Sequence, residues 1–582
     1  MESCSGAGHA VIVLEVIFIP SGGVPGMSDP AVLGEGGIGG KASGLMAILG
    51  SLESAEDFPM EVTVPGFTVI AADHFRDFIG RNGLGRDAED DEADDRIAMA
   101  FMRGEVSPIL SGELWKYIAD TREPVAVRSS SLLEDSLRTP LAGIYQTKML
   151  PNNQPSDEIR FRKLMEAVKL VWASTFFADS REFHRGMGSD LSEEAMAVVL
   201  QDIAGRRYGN RFYPVVSGVA RSYNYYAFGS SRPEDGVVNL ALGLGKTIVD
   251  GGLCWSYSPR NPKTPPPFGS VTEMMKGTQN RFWCVNMERV TEYDPIRETE
   301  FMASCPLEDA DYDGTLSLVA STYVPGSDML VSGTGRDGPR VLNFAPILQD
   351  RVVRLNEAVA RSMELCSDRS GTPVELEFAL RGPSRESGPE LGLLQVRPIA
   401  GAGDEVEIKP EELSSPGVIA ISRRALGNGD NRLDHVVYVR PDNFSSSSTA
   451  GIAGEVAAAN RFMSSLGEEY LLIGFGRWGS TDPWLGIPVT WGHISGARVL
   501  MEVSGPSMRV ELSQGSHFFH NLSSFGVGYL SVNEALDGPV RWDLLEDGVE
   551  ILDESEHVRC ICIPGGLRTR IDGRRGLGVV IR

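Results

Sequence analysis

Two segments in the middle of the chain alternate so strictly that they admit little besides a pair of β-strands. They are Glu375-Leu376-Glu377-Phe378 and Leu393-Leu394-Gln395-Val396-Arg397-Pro398, joined by a Gly/Pro/Ser-rich turn. A period of two puts Glu375 and Glu377 on one face of the first strand, and Gln395 and Arg397 on one face of the second. Leu376, Phe378, Leu394 and Val396 then point into a core. Two carboxylates, an amide and a guanidinium on one sheet face need partners. Mg²⁺ and a polyphosphate would supply them, because hard cations take oxygen ligands and Arg forks onto phosphate.

The 582 residues are too many for one core and imply three or four structural units. A hydrophobic content of 42% is that of a soluble globular protein. The net charge of -25, from 54 basic and 79 acidic residues, argues against a nucleic-acid or anionic-membrane partner. A polyphosphate site must therefore be a local basic focus on an acidic body. The seven cysteines contain no CxxC pair, which indicates neither a disulfide framework nor a zinc site. Cys560 and Cys562 read as buried structural thiols. The longest apolar run, residues 10–20, contains Glu15 and lacks a basic leader, so it reads as a buried strand and the expected location is cytoplasmic.

Along the chain, Gly34-Glu35-Gly36-Gly37-Ile38-Gly39-Gly40-Lys41 is a glycine-rich loop entering a helix. Residues 62–70 form a strand broken by Pro65-Gly66, and the acidic run at 87–95 reads as a solvated loop or helix face. Residues 124–131 are a strand ending in the hydroxyls of Ser129, Ser130 and Ser131. Residues 158–185 are helical by period, with Leu164, Val168, Val171, Trp172 and Phe176 on one stripe. Strands follow at 195–202, 214–220 and 237–244, and a helical pattern at 347–365. Residues 400–405 look like a linker. Beyond it, short strands at 436–439, 470–473, 499–503 and 558–563 surround a helix at 454–465.

Taken singly, Lys41 lacks the phosphate-loop arrangement because Ala42 follows it, and Ser clusters cap turns far more often than they bind nucleotides. In order, the motifs are specific. Gly-Gly-Lys41, Val-Arg128-Ser-Ser, Ser217-Gly-Val-Ala220, Gly243-Leu-Gly245, Glu375-x-Glu377-Phe and Leu-Gln395-x-Arg397-Pro together resemble the ATP-grasp nucleotide-binding domain of phosphoenolpyruvate synthase and pyruvate phosphate dikinase. The similarity covers residues 34–400.

The resemblance implies an α+β fold: an N-terminal strand segment over 1–33, an ATP-grasp domain over 34–400, and a smaller α/β domain of unknown role over 406–582. It implies that Lys41 and Arg128 hold ATP phosphates, that Glu375 and Glu377 serve Mg²⁺, and that Gln395 and Arg397 lie near the transferring phosphoryl group. Gln201 falls where the family's adenine-side strand ends. Two departures stand out. Lys246 follows Gly-Leu-Gly where synthases usually carry Glu, and could add or remove a nucleotide contact. None of the eight histidines, at 9, 74, 184, 435, 493, 517, 520 and 557, sits in the family's phosphohistidine segment, and residues 406–582 are too few for its pyruvate barrel.

The expected function is ATP-dependent phosphotransfer to an unidentified phosphoryl acceptor. A non-catalytic ATP sensor, or one subunit of a split synthase, is the alternative, and a partner protein or homo-oligomer fits either. In the C-terminal region, Gly474, Gly476 and Gly479 around Arg477 read as an anion-binding loop or as a tight turn with Arg477 paired or stacked on Trp478. His517 reads as a satisfied turn histidine or as a phosphoryl acceptor.

Overall fold

Pro65, which has no N–H to give a ladder, divides the first part of the chain. Glu61–Thr63 and Phe67–Ile70 on either side of it are separate strands that join different sheets. The computed structural model describes residues 30–582 except 54, 56, 85–92, 132–143, 187–190, 192, 193, 225–231, 251, 266–270, 289–292, 400–405, 481–483 and 506–526. The expected strand at 10–20, the linker at 400–405 and the His517 segment lie outside the described residues.

The first sheet has five strands in the order Ala31–Leu33, Phe67–Ile70, Met196–Asp202, Val125–Ser131 and Thr147–Leu150, parallel only between the first two. Helices Ala72–Asn82, Asp94–Arg103, Pro108–Asp120 and Asp157–Ser174 share an apolar core with it. The predicted stripe of Leu164, Val168, Val171 and Trp172 is fully buried there, with the Trp172 and Phe78 ring centroids 5.0 Å apart. The helical pattern of 158–185 is interrupted, ending at Ser174 and resuming as Ala178–Gly186. Of the acidic run, Asp94 and Asp95 begin a helix, and Asp94 accepts from the Ala178 N–H at 2.8 Å.

The second sheet has six strands in the order Trp255–Tyr257, Val237–Ala241, Val216–Arg221, Val374–Arg381, Glu390–Pro398 and Glu61–Thr63. Leu376, Phe378, Leu391 and Leu393 on its apolar side form one core with Leu45 and Ile48 of helix Gly39–Leu52 and with Val359 and Met363 of helix Leu355–Ser370. Helix Gly39–Leu52 is wedged between the two sheets. A Cβ on Gly39, whose φ is +75°, would meet the Ser130 carbonyl oxygen at 1.9 Å, and one on Gly44 would meet the Val396 carbonyl at 2.6 Å.

The C-terminal strands build a mixed sheet whose parallel centre is Asn428–Val439, Tyr470–Phe475, Ala497–Ser504 and Gly528–Asn533. Helix Thr449–Leu466 makes the crossover between the first two, as a parallel pair demands. Val418–Ser422 and Arg424–Leu426, separated only by Arg423, pair with strands at opposite ends of this sheet, Leu577–Ile581 and Gly528–Asn533. Val456, Met463, Trp478 and Trp491 belong to the same apolar cluster as Trp172 and Phe183, so this region packs on the helices of the first sheet. The fold is α+β. No helix among the described residues is long and apolar enough to cross a membrane. The six described cysteines are free thiols; Cys560 is buried and Cys562 half-buried.

Gly39→Ala combines a left-handed backbone with a backbone clash and should destabilise by about 2 kcal/mol or more. Gly112→Ala, in helix Pro108–Asp120 with nothing within 4 Å of the new Cβ, should stabilise by about 0.5–1 kcal/mol. Thermal unfolding midpoints that move in opposite directions for the two variants would bear this out.

Candidate functional site

The hairpin register matches the alternation: Glu375 faces Arg397 and Glu377 faces Gln395 across the ladder. A bulge then intervenes, and Phe378 pairs with Leu393, leaving Leu394 as the extra residue. The expectation that Leu394 enters the core is therefore corrected. Leu393 fills that place, while Leu394 is half-buried and turns its carbonyl to Arg128, whose Nη1 donates to it at 3.0 Å.

Glu375 is 2% exposed and Arg397 5%. The Arg397 guanidinium donates to Glu375 Oε1 through Nε at 2.8 Å and also through Nη2. From the other side, Arg221 Nε donates to Glu375 Oε2 at 2.5 Å. Arg221 lies directly opposite Glu375 on the next strand, so a row of Arg221, Glu375 and Arg397 crosses three strands. Glu375 is thus gripped by two arginines, and Glu377 is the more accessible carboxylate, with 20% of its side chain exposed against 1%.

Arg128 projects from the first sheet. Its Nη1 donates to Gln201 Oε1 at 3.0 Å, and its Nη2 donates to Glu377 Oε2 at 3.0 Å and Gln395 Oε1 at 2.8 Å. Gln201 and Gln395 are both buried, and Gln201 Nε2 is a buried donor with no acceptor. Lys41, in the first turn of helix Gly39–Leu52, donates from Nζ to Ser129 Oγ at 3.0 Å. Ser130 Oγ accepts from the Ala42 N–H at 3.1 Å and donates to the Ile38 carbonyl at 2.8 Å, tying the glycine loop to the Arg128 strand. Asp73 steadies the start of that loop by accepting from the N–H groups of Glu35 and Gly36, each at 3.2 Å. Burial works to raise the Asp73 pKa, but these N–H groups and His74 outweigh it and hold the carboxyl below its ordinary range.

The structure thus brings Arg128, Gln201, Glu377 and Gln395 into one hydrogen-bonded group, places Arg221, Glu375 and Arg397 in a second on the same hairpin, and sets Lys41 against the serine beside Arg128. Residues 35–415 match the family described as pyruvate phosphate dikinase, AMP/ATP-binding domain. The chain belongs to this family. It is 26% identical over 412 residues to a phosphoenolpyruvate synthase of Aeropyrum pernix, covering 64% of this chain and 42% of that protein. It is also 28% identical over 181 residues to an uncharacterized phosphotransferase, YvkC, of Bacillus subtilis, covering 30% of this chain and 20% of that one. The chain therefore spans less than half the length of either relative.

Two motifs of this dikinase-family chain resolve in the structure. Lys246 begins the short helix Lys246–Val249, donates to Asp250 at 3.2 Å, and lies 3.7 Å from Glu298, so its charge is answered by two acids of this chain. Around Arg477, the consecutive N–H groups of Gly476, Arg477, Trp478 and Gly479 donate to the Val503, Leu485, Glu502 and Ile487 oxygens at 3.0, 2.9, 2.8 and 2.9 Å. Those amides are engaged within the protein and do not form an anion nest; Arg477–Trp478 is instead a short strand paired in parallel with Gly486–Ile487. The turn closes on Trp478, since a Cβ on Gly474 would meet its ring at 2.2 Å. Sequence reasoning missed Arg221, which its strand boundary at 220 left one residue outside, and Asp73. The signal for Arg221 is its strand position opposite Glu375.

Glu502, 3% exposed, accepts from Trp478 N–H and the Tyr529 hydroxyl. Burial pushes its pKa up to about 7, against the lowering effect of those two bonds. Because the folded pKa lies above the unfolded one, the folded state keeps a proton that the unfolded chain releases. Stability is then highest below the ordinary carboxyl range and falls as pH rises from there toward 7. Glu502→Gln should remove this slope, a difference of up to about 3 kcal/mol across the window. Thermal midpoints measured at pH 4.5 and pH 8 for both proteins check it.

Proposed function

We propose that the chain binds Mg-ATP between its first two sheets and transfers a phosphoryl group to an acceptor not defined by these residues. The observation that carries this reading is the convergence of Lys41, Arg128 and Arg397 with Glu377 and Gln395 at a place where Gln201 Nε2 is a buried donor without an acceptor. A nucleotide supplies acceptor oxygens and nitrogens of the kind such a donor needs. The AMP/ATP-binding description of the family and the names of two relatives, a phosphoenolpyruvate synthase and an uncharacterized phosphotransferase, support the same reading.

In phosphoryl transfer the protein mainly positions the reacting groups and neutralises charge. Lys41 would hold phosphate oxygens at the first turn of its helix, where the dipole favours anions. Arg128 and Arg397 are already desolvated and oriented by their carboxylate partners, so they would trade part of those bonds for phosphate oxygens with little reorganisation. Gln395 would orient a phosphate oxygen. Mg²⁺ leans on one or two carboxylates and on phosphates, and when bound it would neutralise phosphate charge. Glu377 fits that role as the residues stand, whereas Glu375 fits it only after releasing its arginines. Residues 34–400 would carry this chemistry and 406–582 would serve as a second unit.

Isothermal titration should show ATP binding that Mg²⁺ strengthens. Arg128→Met should weaken it about tenfold or more, as expected for loss of hydrogen bonds to charged groups, and Glu377→Gln should abolish the Mg²⁺ enhancement. Incubation with β- and γ-labelled ATP should then show a label leaving the nucleotide for another molecule or for the protein. A wild-type chain that does not bind ATP would refute the site. Binding without any loss of label would leave a nucleotide-sensing module in place of a phosphotransferase.

A further inference from the structure

We infer that Arg221 is an additional phosphate ligand of this site, and that with Arg397 it makes Glu375 a fulcrum between two guanidiniums. The inference rests on the ATP-binding reading above and deepens it, because it assigns a contact to a residue outside the motifs by which the family was recognised.

Arg221 ends the strand Val216–Arg221 and stands opposite Glu375 in the ladder, with Arg397 directly beyond. Its Nε donates to Glu375 Oε2, but its Nη2 is buried and has no hydrogen-bond partner. Only 14% of the side chain is exposed. Buried polar groups are satisfied in more than about nine cases in ten, so an orphan guanidinium N–H needs an explanation. The pairing supplies one: Arg221 and Arg397 both donate to the single carboxylate of Glu375, one to each oxygen. Keeping a guanidinium N–H out of water without an acceptor is unfavourable, and an anion brought to Arg221 Nη2 would supply that acceptor. The anion expected at such a place is multiply charged and rich in acceptor oxygens, which describes a nucleoside polyphosphate.

Arg221 also explains how Arg397 can serve two masters. Were Arg397 the only partner of Glu375, turning it toward a phosphate would leave a buried carboxylate bare. Arg221 holds the second oxygen throughout, so Glu375 stays paired and oriented while Arg397 engages the phosphoryl group. Glu375 then acts as a positioning residue, and the metal rests on Glu377.

The test compares full-length wild type, Arg221→Ala and Arg221→Lys by calorimetric titration with ATP and with AMP in Mg²⁺, alongside the ligand-free thermal midpoint. The expected result is a loss of about tenfold or more in ATP affinity for R221A with AMP affinity nearly kept, and a smaller ATP loss for R221K, which retains the charge but not the fork. Should R221A fail to fold, the ATP-to-AMP affinity ratio of R221K is read instead and must still fall. Equal ATP affinity in wild type and variants overturns the inference. Equal weakening of ATP and AMP also overturns it, since that marks a purely structural role. Failure of the wild type to bind ATP overturns the underlying site reading, and the two failures are told apart by the wild-type titration alone.

Discussion

The guanidinium of Arg128 bonds Gln201 within its own sheet and reaches across to Glu377, Gln395 and the Leu394 carbonyl of the hairpin. These contacts join residues that lie far apart in sequence, and they link the two sheets. A planar fork with several fixed donors suits this task, whereas an ammonium would act as a point charge. The bulge in the hairpin serves the same contact, because an uninterrupted ladder would keep the Leu394 carbonyl in register with its neighbour strand. Helix Gly39–Leu52 fits against both sheets only because glycines stand at its two closest approaches. Site geometry and subdomain packing are therefore one problem with one solution.

Electrostatics gives the site its character. A chain with a net charge of -25 gathers cationic side chains into a small volume and tempers them with two carboxylates. Partial desolvation strengthens each pair and raises the cost of any group left unmatched. Arg221 and Gln201 each leave a donor without an acceptor in this arrangement. The charge at Lys246, in contrast, is answered locally by Asp250 and Glu298.

Much of this was legible in the residue order. A period of two placed Glu375 and Glu377 on one face and Gln395 and Arg397 on another, and the ladder pairs them. Pro65 marked a strand break, and the stripe through Trp172 marked a buried helix face. The bulge was not legible, because an extra residue leaves no trace in a pattern that reads equally well with Leu393 or Leu394 inward. Arg221 escaped because its role depends on a partner 154 residues away, where strand order rather than local pattern decides. The Arg477 loop offered two readings since glycines serve anion nests and tight turns alike; hydrogen bonds to distant carbonyls and to Glu502 exclude the nest.

The two strands flanking Arg423 pair at opposite ends of the C-terminal sheet. A sheet whose first-made strand pairs with its last-made one cannot be finished in the order of synthesis. Val418–Ser422 has its ladder partner only when residues 577–581 exist, so its edge stays open to other chains until then. Completion of this sheet therefore waits on residues 577–581.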